Sequence, residues 1–480
     1  MSEFISNVLK LVSGSVIAQI LAVLLIPIIT RLYTPEDYGL FSLILAITAI
    51  IAIFSSLSYQ LAIMLPKEDE DAAHIVALCF VLILFSSIIT GLAFFFFASP
   101  ITNILNAPAL KKYLWCVPFL VFFTALFSVL TYWNSRRKRF GVYAVAQVTN
   151  SLSGKGVQIG TGIADASPFG LILGSIVGFF CALLVMMKGF HVDLKFFKST
   201  TKRRMKELAV RYKKFPLFTS WSTTANTIST QIAPLLLVYF YSPLVVGYYA
   251  IALQVVQIPM SLIGSAVSQV FFQKASEEKN KTGSISQVVH GVHRRLVSIG
   301  IFPMLLLLII GEDLFVIVLG MQWYTAGLYA KILVPWFLLV FIASPLSTIF
   351  CVLERQYIDL TFNVSILISR ILVLCIGGLL LDPKGTLVLF SITGVIFWGW
   401  LNLYLLKISN IPYKDGFNDY LHYFLVGLVV ALPLILVKLL WPQSLYLIIA
   451  SSILVAIIYY AIIIHQDAIL KTEVLELLGR

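Results

Sequence analysis

Charge is scarce in this sequence. Asp, Glu, Lys and Arg make up 12% of its 480 residues, and hydrophobic residues make up 60%. A soluble domain carries about 25% charged and roughly 45–50% apolar residues. Too few charges are present to clothe a water-facing surface, so most of the surface has to face lipid. Cysteine is scarce too. The five, Cys79, Cys116, Cys181, Cys351 and Cys375, each sit in an apolar run and none forms CxxC. That pattern argues against a disulfide framework or a zinc site and leaves small buried hydrophobes. Signatures of chemistry are missing as well. The six histidines are scattered, and neither HExxH nor GxSxG occurs. SGKG at 153–156 is the nearest approach to a phosphate-binding loop. It has no Gly five residues before Gly154, and Gly156 stands where Ser or Thr should follow the lysine. Neither an enzyme nor a resident cofactor is expected.

What the sequence has in abundance is long apolar runs. A spanning helix needs about 20 mainly apolar residues. Candidates fall at 11–29, 39–64, 75–97, 113–133, 142–163, 169–187, 215–240, 245–272, 295–311, 332–352, 361–381, 386–406, 421–440 and 445–464. The expected fold is therefore an all-α polytopic membrane protein with about fourteen transmembrane helices. The first run is read as a helix and not a cleaved signal, because Arg31 and a second span follow it without an A-x-A site. An even count puts both termini on one side. With the termini in the cytoplasm, cytoplasmic segments hold 26 Lys and Arg, the opposite side holds six, and two lie inside spans. Such a bias orients the chain. It also accounts for the net charge of +12 without invoking nucleic acid. The densest basic segment, 188–214 with TKRRMKE at 201–207, reads as a cytoplasmic connector. It is either a surface helix drawn to anionic membrane lipids or a purely topogenic loop.

An internal repeat divides the chain. Tyr33-Thr34-Pro35 is followed by Gly39-Leu40-Phe41, and Tyr241-Ser242-Pro243 by Gly247-Tyr248-Tyr249. Further on, Val117-Pro118-Phe119 matches Val334-Pro335-Trp336. In each copy an aromatic, Phe140 or Tyr357, stands 22 residues beyond the proline. Spans one and seven run in the same direction, so the copies are parallel repeats, an arrangement that recurs in transporters. The expected organisation is an N-lobe at 1–187, the connector at 188–214, a C-lobe at 215–406, and two additional spans with a tail at 407–480.

The informative residues are polar groups inside spans. Lys155 and Arg370 lie 15 and 13 residues beyond Phe140 and Tyr357, in equivalent helices. A charge at the bilayer centre costs roughly 2.5–3.5 kcal/mol on insertion scales. Each should therefore face a cavity or a partner, or snorkel. Two cations without a mid-span carboxylate suit a cavity that receives an anion. Arg31 is a candidate for its rim or a plain helix anchor. Asn150, Gln158, Asn226, Gln231 and Asn363 are candidate polar lining, with interhelical bonding as the alternative for each. Gly170, Gly174 and Gly178 permit close helix approach, which suits packing within the half-bundle.

PIITRLYTPEDYGLFSL at 27–43 resembles the opening signature of bacterial polysaccharide exporters and Wzx-type flippases. VLGMQWYTAGLYAKILVPWFLLVFIASPLS at 318–347 resembles the same family around spans nine and ten. The family belongs to the multidrug/oligosaccharidyl-lipid/polysaccharide exporter superfamily. The resemblance implies two six-helix lobes around a central cavity, plus two C-terminal helices. It implies alternating access that carries polyprenyl-diphosphate-linked oligosaccharide across the bacterial inner membrane, and a cationic cavity that Lys155 and Arg370 would fit. A proton or sodium gradient is the matching energy source. A polysaccharide polymerase and a chain-length regulator are the matching partners. Two rivals stand beside this expectation. A drug or cation antiporter would call for carboxylates inside the spans. A membrane-embedded polymerase would call for a large loop with clustered acids or histidines.

Overall fold

The computed structural model describes residues 3–188, 190–198, 200–353 and 355–466. Glu354 and the cytoplasmic-tail charges Lys471 and Arg480 fall outside the described residues, as does the side chain of Cys351. Every regular element among the described residues is helical. One compact unit comprises Met1–Ala250 with Asn363–Pro383. It contains α1 (Glu3–Leu32), α2 (Pro35–Ser56), α3 (Asp69–Ile104), α4 (Val117–Arg136), α5 (Phe140–Ala164), α6 (Pro168–Met186), the short α7 (Phe190–Lys198) and α8 (Lys202–Arg211), α9 (Ser220–Phe240) and the start of α10 (Pro243–Val256). The other unit comprises Ile251–Phe362 with Lys384–Arg480. Its helices are α11 (Ser265–Thr282), α12 (Ser286–Leu319), α13 (Tyr324–Leu346), the short α14 (Ile349–Val352), α16 (Pro383–Ile408), α17 (Tyr413–Leu440) and α18 (Leu445–Gln466). Most of α15 (Gln356–Leu380) belongs to the first unit.

The chain is a multi-pass, all-α membrane protein. Among the described residues, ten helices are long and apolar enough to cross a bilayer: α2, α3, α4, α6, α12, α13, α15, α16, α17 and α18. Val16–Leu32 and Pro243–Val256 are apolar but shorter. Helices α5 and α9 fall short by composition, because Asn150, Lys155 and Gln158 interrupt one and a Ser/Thr-rich first half opens the other. Each of the fourteen expected segments lands on helix, but the criterion of length and apolarity is met by ten. Helix α3 has 36 residues, about 54 Å at 1.5 Å per residue. It outruns a hydrocarbon core of about 30 Å and projects beyond it.

Backbone chemistry moved some boundaries. The apolar run at 39–64 predicts one helix, but α2 stops at Ser56. Leu57 and Ser58 turn left-handed (φ 49° and 59°), and a 3₁₀ turn, Tyr59–Met64, follows. Ser55, Ser56, Ser58 and Gln60 interrupt the apolar run at this break. The segment 245–272 is likewise divided, into α10, a π-helical turn at Met260–Gly264 and α11. The start of α2 is the opposite case, because its signals are local. Pro35 occupies the first turn, where its missing N–H costs nothing. Thr34 Oγ1 accepts from the Asp37 amide at 3.2 Å, and the Asp37 carboxylate accepts from the Thr34 amide at 2.9 Å. That reciprocal arrangement is a capping box.

The connector is docked, not loose. Asp193 of α7 is completely buried. Its carboxylate accepts from Arg139 at 2.6 and 2.9 Å and from the Trp133 indole at 3.0 Å. The Arg204 guanidinium of α8 pairs with Asp71 at 2.7 Å, and the Tyr59 hydroxyl donates to the Ala209 carbonyl at 2.9 Å. Arg136 and Arg137 both bond Asp69. The basic run NSRRKR at 134–139, which reads as topogenic, therefore also fastens α7 to the ends of α3 and α4.

Candidate functional site

The candidate residues lie in the first unit on α1, α5, α9 and α15, with α6 packed against α5. Helix α5 carries glycines on two faces. On one, Gly154 faces Gly174 of α6: a Cβ on Gly154 would come within 3.0 Å of the Gly174 carbonyl oxygen. One on Gly178 would come within 2.5 Å of the Asn150 Oδ1. The glycine ladder of α6 thus packs within the half-bundle, and Asn150 and Gln158 lie at that seam. On the other face, Gly156 and Gly160 are exposed, and an added Cβ at either would meet nothing within 4 Å. One side of α5 is closed by backbone contact and the other is open.

Lys155 lies between these faces, half-buried. Its ammonium donates to the Gln158 Oε1 at 3.1 Å, one turn along. Gln158 is buried and donates its own amide to the Leu171 carbonyl at 3.0 Å. It therefore bonds the helices together and also holds the lysine. The neutral amide leaves the charge of Lys155 in place, because an amide oxygen satisfies a donor without cancelling its charge.

Arg370 of α15 is also half-buried. Its Nη1 donates to the Ser229 carbonyl at 2.7 Å and to the Ser229 hydroxyl at 2.9 Å. Ser229 belongs to α9, one turn beyond Asn226 and two residues before Gln231. Asn226 is exposed on α9, and Gln231 and Asn363 are half-buried. Ser229 was missed in the sequence, since nothing in its spacing ties it to residue 370. Arg31 is exposed in the last turn of α1. Lys155 and Arg370 thus belong to two hydrogen-bonded groups in the same compact unit, one on α5–α6 and one on α9–α15. An arrangement of this kind can bind anions. Among the described residues no group of His, Cys, Asp and Glu is placed to hold a metal ion.

A second charged cluster, in the other unit, was not anticipated. The expected span 295–311 left Glu312 and Asp313 outside, whereas α12 continues to Leu319 past a kink at Ile310 (φ −118°, ψ 16°). Glu312 accepts from Lys331 of α13 at 2.9 and 3.0 Å, and Asp313 pairs with Lys438 of α17 at 2.7 Å. Both lysines lie within helices.

A family model described as polysaccharide biosynthesis protein matches residues 28–327. A search among curated protein sequences gave no match. Among solved structures, the chain is similar to the lipid II flippase MurJ in an inward closed conformation. The identity is 17% and the TM-score 0.70, over 95% of this chain and 99% of that one. It is similar to an inward-facing multidrug resistance transporter of the MATE family and MOP superfamily, at 14% identity and TM-score 0.60, over 82% and 96%. A MOP superfamily transporter from Pyrococcus furiosus matches at 14% identity and TM-score 0.55, over 84% and 95%. At these identities the likeness is one of fold. The structures that share it are flippases and transporters, not catalytic enzymes.

Proposed function

From the premise that this chain belongs to the polysaccharide biosynthesis protein family, we propose that it flips a polyprenyl-diphosphate-linked oligosaccharide across the bacterial cytoplasmic membrane. The observation that carries the reading is the pair of cations, Lys155 and Arg370, held inside equivalent helices of an internal repeat by the neutral groups of Gln158 and Ser229. A diphosphate is the anionic part of such a substrate, and a positively charged site in low dielectric attracts it far more strongly than water would allow. The glycan would enter a cavity between two six-helix lobes while the polyprenyl chain stays in the bilayer, with both termini cytoplasmic. Alternating access driven by an ion gradient would complete the cycle. O-antigen, capsule and other exopolysaccharide units all satisfy this chemistry, and a polymerase and a chain-length regulator are the partners that would receive the product. A drug-cation antiporter is disfavoured, because its cationic cargo would meet Lys155 and Arg370 where carboxylates are needed.

The test is genetic and direct. Lys155→Gln combined with Arg370→Gln should abolish export of surface polysaccharide at normal protein levels. Export at the wild-type rate would remove both residues from the substrate path.

A further inference from the structure

The repeated element Tyr–Thr/Ser–Pro followed by Gly has a structural counterpart that the proposed function leaves unused. Helices α2 and α10 begin at Pro35 and Pro243 and meet through their first turns. The contact is reciprocal. A Cβ added to Gly39 would overlap the Pro243 carbonyl oxygen, and one added to Gly247 would overlap the Pro35 carbonyl oxygen. The Cβ built on each glycine also lies 3.1 Å from the amide nitrogen of the other. Backbone meets backbone here. The relative position of the two turns is fixed by hard main-chain contact, not by adaptable side chains.

From this junction each copy reaches its own cation-bearing helix through a tyrosine. Tyr33, two residues before Pro35, is fully buried. Its hydroxyl donates to the Gln158 carbonyl at 2.7 Å and shares a hydrogen bond with Thr161 at 2.9 Å. Gln158 is the residue whose side chain holds Lys155. Tyr241, two residues before Pro243, donates to the carbonyls of Leu381 at 2.9 Å and Gly377 at 3.2 Å, at the end of α15. Glycines admit both approaches. A Cβ on Gly162 would come within 2.8 Å of the Tyr33 ring, and one on Gly378 would collide with the Phe240 ring. These glycines stand seven residues past Lys155 and eight past Arg370.

We propose that Tyr33 and Tyr241 are positioning residues for Lys155 and Arg370, and that the Gly39–Gly247 junction joins them into one frame. Tyr33 sets the height and rotation of α5, and Tyr241 sets those of α15. The spacing of the two cations is then fixed through main chain, which suits a ligand whose charges are themselves at fixed separation. The inference rests on the reading that these cations receive the anionic part of the substrate.

The experiment measures binding of polyprenyl diphosphate without glycan to the purified protein in nanodiscs. Tyr→Phe keeps the ring and removes only the donor. Lys155→Gln should weaken binding roughly tenfold or more, and Tyr33→Phe about fivefold, on the usual scale of coupled polar contacts. In a Lys155→Gln background, Tyr33→Phe should cost less than about twofold, because coupled residues are not additive. Tyr241→Phe and Arg370→Gln should behave in parallel. Equal losses from Tyr33→Phe in both backgrounds would overturn the proposal, since general packing damage is indifferent to Lys155. So would an unaltered affinity in Tyr33→Phe alone. Should Tyr33→Phe fail to fold, Thr161→Val removes the hydroxyl that shares its hydrogen bond and reads the same coupling. An unchanged affinity in Lys155→Gln itself would fell the site reading and the frame with it, a result distinct from the other two.

Discussion

Two groups of charge inside helices, one in each compact unit, are handled in opposite ways. In the second, Glu312, Asp313, Lys331 and Lys438 cancel one another across α12, α13 and α17. In the first, Lys155 and Arg370 donate to an amide and a serine. Closed ion pairs hold helices together and gain little from a ligand, because both partners are already satisfied. A cation resting on a neutral oxygen keeps its field. The same expensive commodity, charge inside an apolar protein, is cancelled in one group and set against neutral oxygens in the other.

That contrast can be broken from either side. Glu312→Ala should be the most damaging single change, lowering stability by about 3 kcal/mol, because it strands Lys331 in a partly buried place. Thermal unfolding in detergent measures it. An unaltered melting temperature would mean that the cluster holds nothing. Gly39→Val should come next, at about 2 kcal/mol, since a branched side chain has to be forced against the Pro243 carbonyl. The same assay should show Gly247→Val matching it, as the reciprocity requires. Lys155→Met should leave stability within about 1 kcal/mol of the wild type, or raise it, since a charge held by a neutral amide is replaced by an apolar chain of similar length. Its export activity should nevertheless collapse, and a variant both stable and active would erase the distinction between the two groups. The smallest effect should come from acid. The Arg204 hydrogen bond holds the Glu207 carboxyl below its ordinary range. Its contribution is therefore present above the unfolded value and fades as pH falls through the lowered one. Glu207→Gln should flatten the acid limb of a stability–pH curve slightly, and salt should mask the difference.

Much of this was legible because membrane helices announce themselves by composition. The approximate positions of the apolar helices, the chain's repeat and the cation in each copy follow from apolar runs and residue spacing alone. The breaks were less plain. Ser56 ends α2 inside the segment 39–64, where three serines and Gln60 interrupt the apolar residues and Leu57 and Ser58 turn left-handed. Glu312 looked like the end of a span because charge usually is, yet its partner Lys331 sits a helix away and lets α12 continue. Ser229 was invisible for a related reason. Its value lies in a hydrogen bond to a residue 141 positions along the chain, and no periodicity reports that. The glycines of α6 pack against α5, as their spacing predicts. For Gly39 and Gly247 the sequence shows a repeated phrase, and their mutual contact is set by the fold.

That pair follows the rule of an isologous dimer, in which residue i meets j of the other subunit and j meets i, but here it is carried within one chain. In a true dimer every mutation strikes both sides of the axis at once. Fused copies are released from that constraint and can drift one side at a time. They have done so at Thr34 and Ser242, Glu36 and Leu244, Asp37 and Val245, and Tyr38 and Val246, while Tyr, Pro and Gly stay the same in both. The symmetry has been kept where main chain touches main chain, and at the tyrosine that reaches out from it.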